Sequence, residues 1–299
     1  FLESNVRRFL VGLLVASFLS GCVSTVEHTI PLSKSFESNS KLITVNLPTL
    51  SVSDSAYDID IENYAIKNTY TSWKKFEDRK LTNIEHETNY LNYILFDDEL
   101  SFIKKEFELE SKQSFNFELT QNNDIIATSH CEIYAQSLSN VHKSYNLNGN
   151  GVRESSESIA SRNKTFLVCS IKHQGQIWKL TLLSEKGSGI KAQLSSDTLN
   201  YDIKSINDSI SLIKTGDKIE KRQSAPWLSN KSGLSFSFDN TQVSAISFVG
   251  KPRFWLSNSL SAEQKPLLVA VNYSLTLFNR IDGDWREKES FNNHNDQLQ

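Results

Sequence analysis

From Gln113 onward the chain repeats with a period of two. Phe115, Phe117 and Leu119 alternate with Ser, Asn and Glu. Ile125, Ala127, Cys131, Ile133 and Ala135 alternate with Thr128, His130, Glu132 and Gln136. Leu167, Cys169 and Ile171 share one face, as do Trp178, Leu180 and Leu182. Successive side chains on a strand point to opposite faces, so this pattern calls for strands with one buried face. The joints between them, Gln121-Asn122-Asn123-Asp124, Gln174-Gly175 and Lys186-Gly187-Ser188-Gly189, are hairpin turns, too short for the crossover that parallel strands need. The expected fold is therefore mainly β, an α+β chain on an antiparallel, sandwich-like sheet, rather than the strand-helix alternation of a nucleotide-binding fold.

Elsewhere the pattern is weaker. Lys41 to Pro48 alternates Ile43, Val45 and Leu47, and Tyr57 to Ile66 alternates Ile59 and Ile61 with Asp58, Asp60 and Glu62, so both read as strands. Ile66, Tyr70 and Trp73 fall at helical spacing and predict a helix from about Asn63 to Lys80, whereas Tyr90 to Leu109 fits either period. Ser137 to Lys164 contains Asn148-Gly149-Asn150-Gly151 and Ser155-Ser156-Glu157-Ser158 with little apolar content. It reads as a long solvated loop, either a disordered excursion or a binding arm. Leu199, Tyr201 and Ile203 mark a further strand, and the polar Asp217 to Pro226 an internal boundary between a β-rich domain, 41–222, and a C-terminal β-β-β-α unit, 226–285. In that unit Ser261-Ala262-Glu263-Gln264 forms a capping box that opens a helix running to about Ile281. Leu267, Leu268, Val271, Leu275 and Phe278 make this helix apolar over much of its circumference, so it should pack on the sheet. Residues 286–299 form a polar tail.

The N-terminus has the layout of a secretory signal: Arg7 and Arg8, an apolar run from Phe9 to Leu19, then Leu19-Ser20-Gly21-Cys22. The run is shorter than the roughly 20 residues that a bilayer-crossing helix needs. Its last four residues resemble the lipobox of bacterial lipoproteins: an aliphatic residue, a small residue, Gly or Ala, then Cys. The resemblance implies that Cys22 is acylated and becomes the first residue of the mature chain, and that the protein is a membrane partner through its lipid. Val23, in place of Asp, implies the outer membrane, with the folded part in the periplasm. The Ser-rich stretch 22–40 then reads as a tether.

With Cys22 assigned to lipid, Cys131 and Cys169 remain in an oxidising compartment, each on the apolar face of its strand. A disulfide is expected. Zinc is the alternative, because His130 adjoins Cys131 and His173 lies four residues beyond Cys169. However, neighbouring strand residues face opposite ways, so His130 and Cys131 cannot share a tetrahedral site without a bulge.

A catalytic constellation is not legible. Asp58-Ile59-Asp60-Ile61-Glu62 resembles the acidic signature of chitinase-like glycosidases, but Ser55 and Ile61 stand where that family has Asp and Trp. Ser-x-x-Lys occurs six times, beginning at Ser38, Ser72, Ser101, Ser161, Ser188 and Ser211, in a chain so rich in serine that chance supplies such matches. No cofactor, metal or catalytic residue is assigned. The balance of 32 basic and 35 acidic residues argues against nucleic acid as a partner. The function expected is that of a lipid-anchored envelope protein with a binding, assembly or structural role and an envelope protein as possible partner. The rival is a periplasmic hydrolase whose site is assembled from distant residues.

Overall fold

The computed structural model describes residues 24–47, 57–76, 80–88, 101–148, 151–216, 218–224 and 231–286. The chain is mostly antiparallel β with one long helix, as the alternation requires. In chain order the elements are β1 (Ser24–Thr29), α1 (Lys34–Ser38), β2 (Ser40–Thr44), β3 (Tyr57–Ile61), β4 (Tyr64–Thr71), β5 (Lys75–Phe76), β6 (Lys80–Thr88), β7 (Ser101–Gln121), β8 (Asp124–Asn148) and β9 (Gly151–His173). Then come β10 (Gln176–Glu185), β11 (Ile190–Ser195), β12 (Asn200–Ile206), β13 (Ile210–Thr215), β14 (Lys218–Gln223), β15 (Gly233–Phe238), β16 (Thr241–Ser247), β17 (Arg253–Ser257), α2 (Gln264–Ile281) and a 3-10 turn at Gly283–Arg286.

Fourteen strands form one sheet in the order β3-β4-β7-β8-β9-β10-β11-β12-β15-β16-β17-β2, with β5 and β6 following β4 along the same edge of β7. The sheet curls into a near-barrel around α2. Every residue of α2 from Pro266 to Phe278 is buried, and its side chains share one core with Phe115, Phe117, Leu180, Phe236 and Phe254. Phe117 meets the Tyr273 ring edge-on at 4.8 Å. The predicted capping box is present: the Gln264 amide donates to Ser261 Oγ (3.1 Å) and the Ser261 amide to Gln264 Oε1 (3.3 Å). Asn272, Ser274 and Thr276 of the helix each donate a hydrogen bond inside the core, while Asn272 Oδ1 has no partner among the described residues. Asn272 Nδ2 donates to the Leu268 carbonyl (2.7 Å) and Ser244 Oγ (2.9 Å), and Ser274 Oγ lies 3.0 Å from Ser129 Oγ.

The two end strands of the sheet approach each other across a seam that side chains close. Ile43 of β2 and Val45 just past it share the core with Ile59 and Ile61 of β3, and Glu62, just past β3, pairs with Lys41 (2.9 Å) and Lys265 (3.4 Å). The acidic run is thus a strand face with exposed Asp58 and Asp60.

Two-residue turns carry the meander. Asn122-Asn123, Gln174-Gly175 and Asp239-Asn240 all have positive φ at both positions, the conformation whose twist matches the flanking strands.

Several expectations are corrected. Residues 24–40 are not a tether: β1 pairs with β13, which pairs with β14, and this small sheet lies beside β15–β17. Ile30 and Phe36 are buried against Ala245, Val249 and Trp255. Glu27 holds the attachment through Lys251 (3.0 Å) and Arg253 (3.2 Å). Gly250, with φ +73°, lets the turn after β16 approach so closely that a Cβ there would lie 2.2 Å from the His28 carbonyl. The stretch spanning 217–226 contains β14, so part of the supposed boundary is strand. The helix predicted over 63–80 is instead β4 and β5. A register shift between Lys67 and Tyr70, with Asn68 at φ 54°, breaks the period of two and imitates helical spacing.

The largest correction concerns 137–164. It is β structure, with β8 and β9 paired out to Asn148 opposite Gly151. Their outer halves, together with β6 and the first half of β7, form an arm reaching beyond the core. From Ser137 to Asn148 alone this amounts to about 40 Å of strand. Apolar alternation is missing here because the stretch carries few apolar residues, and the backbone ladder needs no apolar pattern. Arg162 at the root donates to Asp282 beyond α2 (2.6 Å), a nearly buried pair that Lys74 joins at 3.5 Å.

Cys131 and Cys169 stand opposite each other in the β8–β9 register, both fully buried, with their sulfurs bonded at 2.06 Å. Their closed loop spans 38 residues and includes the outer β8–β9 ribbon. Reduction or double Cys→Ala substitution is expected to lower unfolding free energy by about 4 kcal/mol in the chain-entropy picture, measured by urea titration with and without reductant.

Candidate functional site

Among the described residues a groove lies at the root of the arm, on the outer face of the sheet. Strand register builds it: Lys112 on β7, Tyr134 on β8, Phe166 on β9 and Leu183 on β10 stand in one row across four adjacent strands. Their chain neighbours Gln113, Ile133, Leu167 and Leu182 point inward and are buried, so alternation turns this row outward. Tyr134 is 39% exposed and Phe166 37%. The next row toward the arm is polar: Glu110, Gln136, Lys164 and Glu185. All of these but Glu185, with Ser111 and Ala135, line a groove of about 420 Å³, within the roughly 300–1,000 Å³ range of small-ligand sites.

The rim is internally paired. Lys112 Nζ lies 3.1 Å from Glu132 and 4.9 Å from the centre of the Tyr134 ring, and the Tyr134 hydroxyl donates to Glu132. Lys164 pairs with Glu185 at 3.0 Å, and Gln136 donates to Glu108. The hydrogen bond from Tyr134, then that from Lys112, holds the Glu132 carboxyl below its ordinary range, and the Lys164 hydrogen bond does the same for Glu185. Hydrogen bonds to a carboxylate favour its charged form, so this network stands at neutral pH and is lost as pH falls through the depressed folded-state values.

The sequence-assigned positions separate. Cys22 lies outside the described residues. Cys131 and Cys169 come together as the disulfide described above. His130 is exposed on the opposite face from Cys131, and both ring nitrogens of His173 face carbonyls, Ile126 at 2.8 Å and Glu263 at 2.9 Å. His173 therefore ties the β8–β9 pair to the start of α2. Among the described residues no group of three or more His, Cys, Asp or Glu side chains is disposed to hold a metal ion. Ser211 stands on β13 three residues from Lys214, on the opposite face from it, so it forms no nucleophile-lysine pair there.

One cluster escaped sequence reasoning. His28 Nδ1 lies 3.2 Å from Ser211 Oγ and 3.5 Å from Ser224 Oγ, and the two hydroxyls are 3.0 Å apart. Its members come from β1, β13 and the residue after β14, and only the small sheet brings them together. Among the described residues no carboxylate pairs with His28 to orient it as the third member of a triad would. The groove was equally hidden: Tyr134 and Phe166 are 32 positions apart, and only the β8–β9 register makes them neighbours.

No protein-family model, curated protein or solved structure matches this chain. Among the described residues no helix is long and apolar enough to cross a membrane.

The Glu132 network gives a direct test. Tyr134→Phe is expected to raise the Glu132 titration midpoint toward the ordinary carboxylate value, and Lys112→Met to raise it by less. Carboxyl-detected NMR titration of the two variants against the parent measures both.

Proposed function

We propose that this chain is a lipid-anchored protein of the bacterial envelope that acts by binding, holding or helping to assemble a partner rather than by catalysis. The arm is the observation that carries the reading. Four strands run on past the hydrophobic core, and the apolar side chains of Leu81, Ile84 and Leu138 on them are exposed. A structure of that kind serves reach and contact; catalysis requires converging reactive groups held by a rigid surround. The lipobox-like Leu19-Ser20-Gly21-Cys22 supplies the anchor in this reading. Ser24 already belongs to β1, so two residues, at most about 7 Å of chain, separate the proposed lipid from the small sheet. The folded body would then rest against the bilayer rather than hang from it.

Two measurements test the proposal. Cys22→Ala is expected to abolish acyl labelling and move the protein out of the membrane fraction; an unchanged membrane-bound protein would remove the anchor. A photo-crosslinking residue at position 84 or 138, expressed in cells of the source bacterium, is expected to give discrete adducts, whereas a residue at Asp58 on the barrel face should not. Equal labelling at both places would remove the arm as the binding element.

A hydrolase is the second reading, favoured by the His28, Ser211 and Ser224 contacts alone. Ser224 is buried and no acid orients His28 among the described residues, so a fluorophosphonate serine probe should leave the protein unlabelled. Stoichiometric labelling that disappears in Ser211→Ala would establish the hydrolase instead.

A further inference from the structure

We propose that the groove at the arm root binds an extended, uncharged β-linked glycan, with consecutive sugar rings lying on Tyr134 and Phe166. This rests on the binding role proposed above and names its ligand class.

Backbone recognition is closed to any ligand of this groove. β7, β8, β9 and β10 are each paired on both sides, so a peptide cannot add as a strand, and the ligand is held by side chains alone. The floor consists of two outward aromatic rings on neighbouring strands, flanked by Leu183. Neighbouring strands stand about 4.8 Å apart, close to the advance per ring along an extended β-linked glycan. A chain laid across the strands would therefore set one ring on each aromatic in turn. A pyranose suits such a floor because its C–H face is apolar while its edges carry hydroxyls.

The rim decides between ligand charges. Lys112 is neutralised by Glu132 and Lys164 by Glu185, so an anionic headgroup or acidic peptide would have to displace a carboxylate already in contact. An acyl chain would desolvate these polar groups and return nothing to them. A neutral polyol disturbs neither pair: its hydroxyls donate to the glutamates and accept from the lysines and from the amide of Gln136.

The experiment uses the full chain in detergent, titrated calorimetrically with the β-1,4-linked tetramer of N-acetylglucosamine, with cellotetraose and with α-linked maltotetraose. Saturable binding of at least one β-linked tetramer is expected, with maltotetraose weaker by about tenfold or more. Phe166→Ala and Tyr134→Ala should each weaken binding about tenfold or more, consistent with loss of a central aromatic contact, and Phe166→Tyr should restore it. Circular dichroism and unfolding midpoints of the alanine variants check that the sheet is intact. Absence of binding by both β-linked tetramers, or binding indifferent to Phe166→Ala, overturns the proposal. So does binding of phosphatidylglycerol vesicles or of an apolar peptide that Phe166→Ala abolishes while the tetramers stay inert. Arm crosslinking in cells is read separately, so loss of the glycan proposal leaves the binding role standing, and loss of arm crosslinks leaves the titration valid.

Discussion

The enclosure of α2 governs the molecule. From Pro266 to Phe278 no face of the helix meets water, so apolar partners must surround it on every side. A flat sheet covers one face of a helix; only a strongly curled one covers all of them. The meander from β3 to β17 supplies the curl, and β2, from near the N-terminus, adds to the far edge. Side chains finish the closure, with Glu62 joined to Lys41 in β2 and to Lys265 in α2. The cost of placing Asn272 and Ser274 in this interior is offset by hydrogen bonds to Ser244 and Ser129 on the surrounding strands. Those bonds also fix the rotation of the helix within the sheet.

The same enclosure explains where the arm begins. The core shared with α2 takes Phe115 as its outermost β7 residue, Ile133 on β8 and Leu167 on β9. Past that level the buried side chains among the described residues are mostly polar, Gln113, Ser139, Arg162 and Thr165 among them, and the backbone ladder continues outward. Two links fasten the arm to the body at this level: the Cys131–Cys169 bond between its central strands, and Arg162 to Asp282 just beyond the helix. Removing one member of such a nearly buried ion pair leaves the other charge uncompensated, which makes the arm root and the end of α2 one mechanical unit. The groove lies at this junction, on the outer face of the strands that the core holds most firmly.

Much of the fold was legible in advance. Phe115 and Cys131 announced their strands because each is apolar between polar neighbours, Cys169 and Trp178 because each shares a period of two with Leu167 and Ile171 or Leu180 and Leu182, and the capping box at Ser261 announced the helix because its hydrogen bonds are local. Legibility failed where burial was absent or doubled. The outer halves of β8 and β9 carry few apolar residues and so show no alternation. Residues 24–40 looked like a tether because the segment buries only a few apolar side chains, Ile30 and Phe36 among them, against the outside of β16 and β17. β4 carries a bulge that shifts its phase and mimics a helix.

By itself the sequence determined the local matters: strand identity in the core, hairpin turns at Asn122-Asn123 and Gln174-Gly175, the helix cap, and the inward aim of both cysteines. These depend on side-chain periodicity and on hydrogen bonds reaching a few residues, which a linear string encodes directly. Only the tertiary structure decided that the sheet wraps α2, that 137–164 is an arm, that His28 meets Ser211, and that Tyr134 and Phe166 lie side by side. Each of these is a pairing between distant segments. Register and sheet closure are set by the simultaneous burial of one helix against many strands, a condition that no single stretch of residues contains.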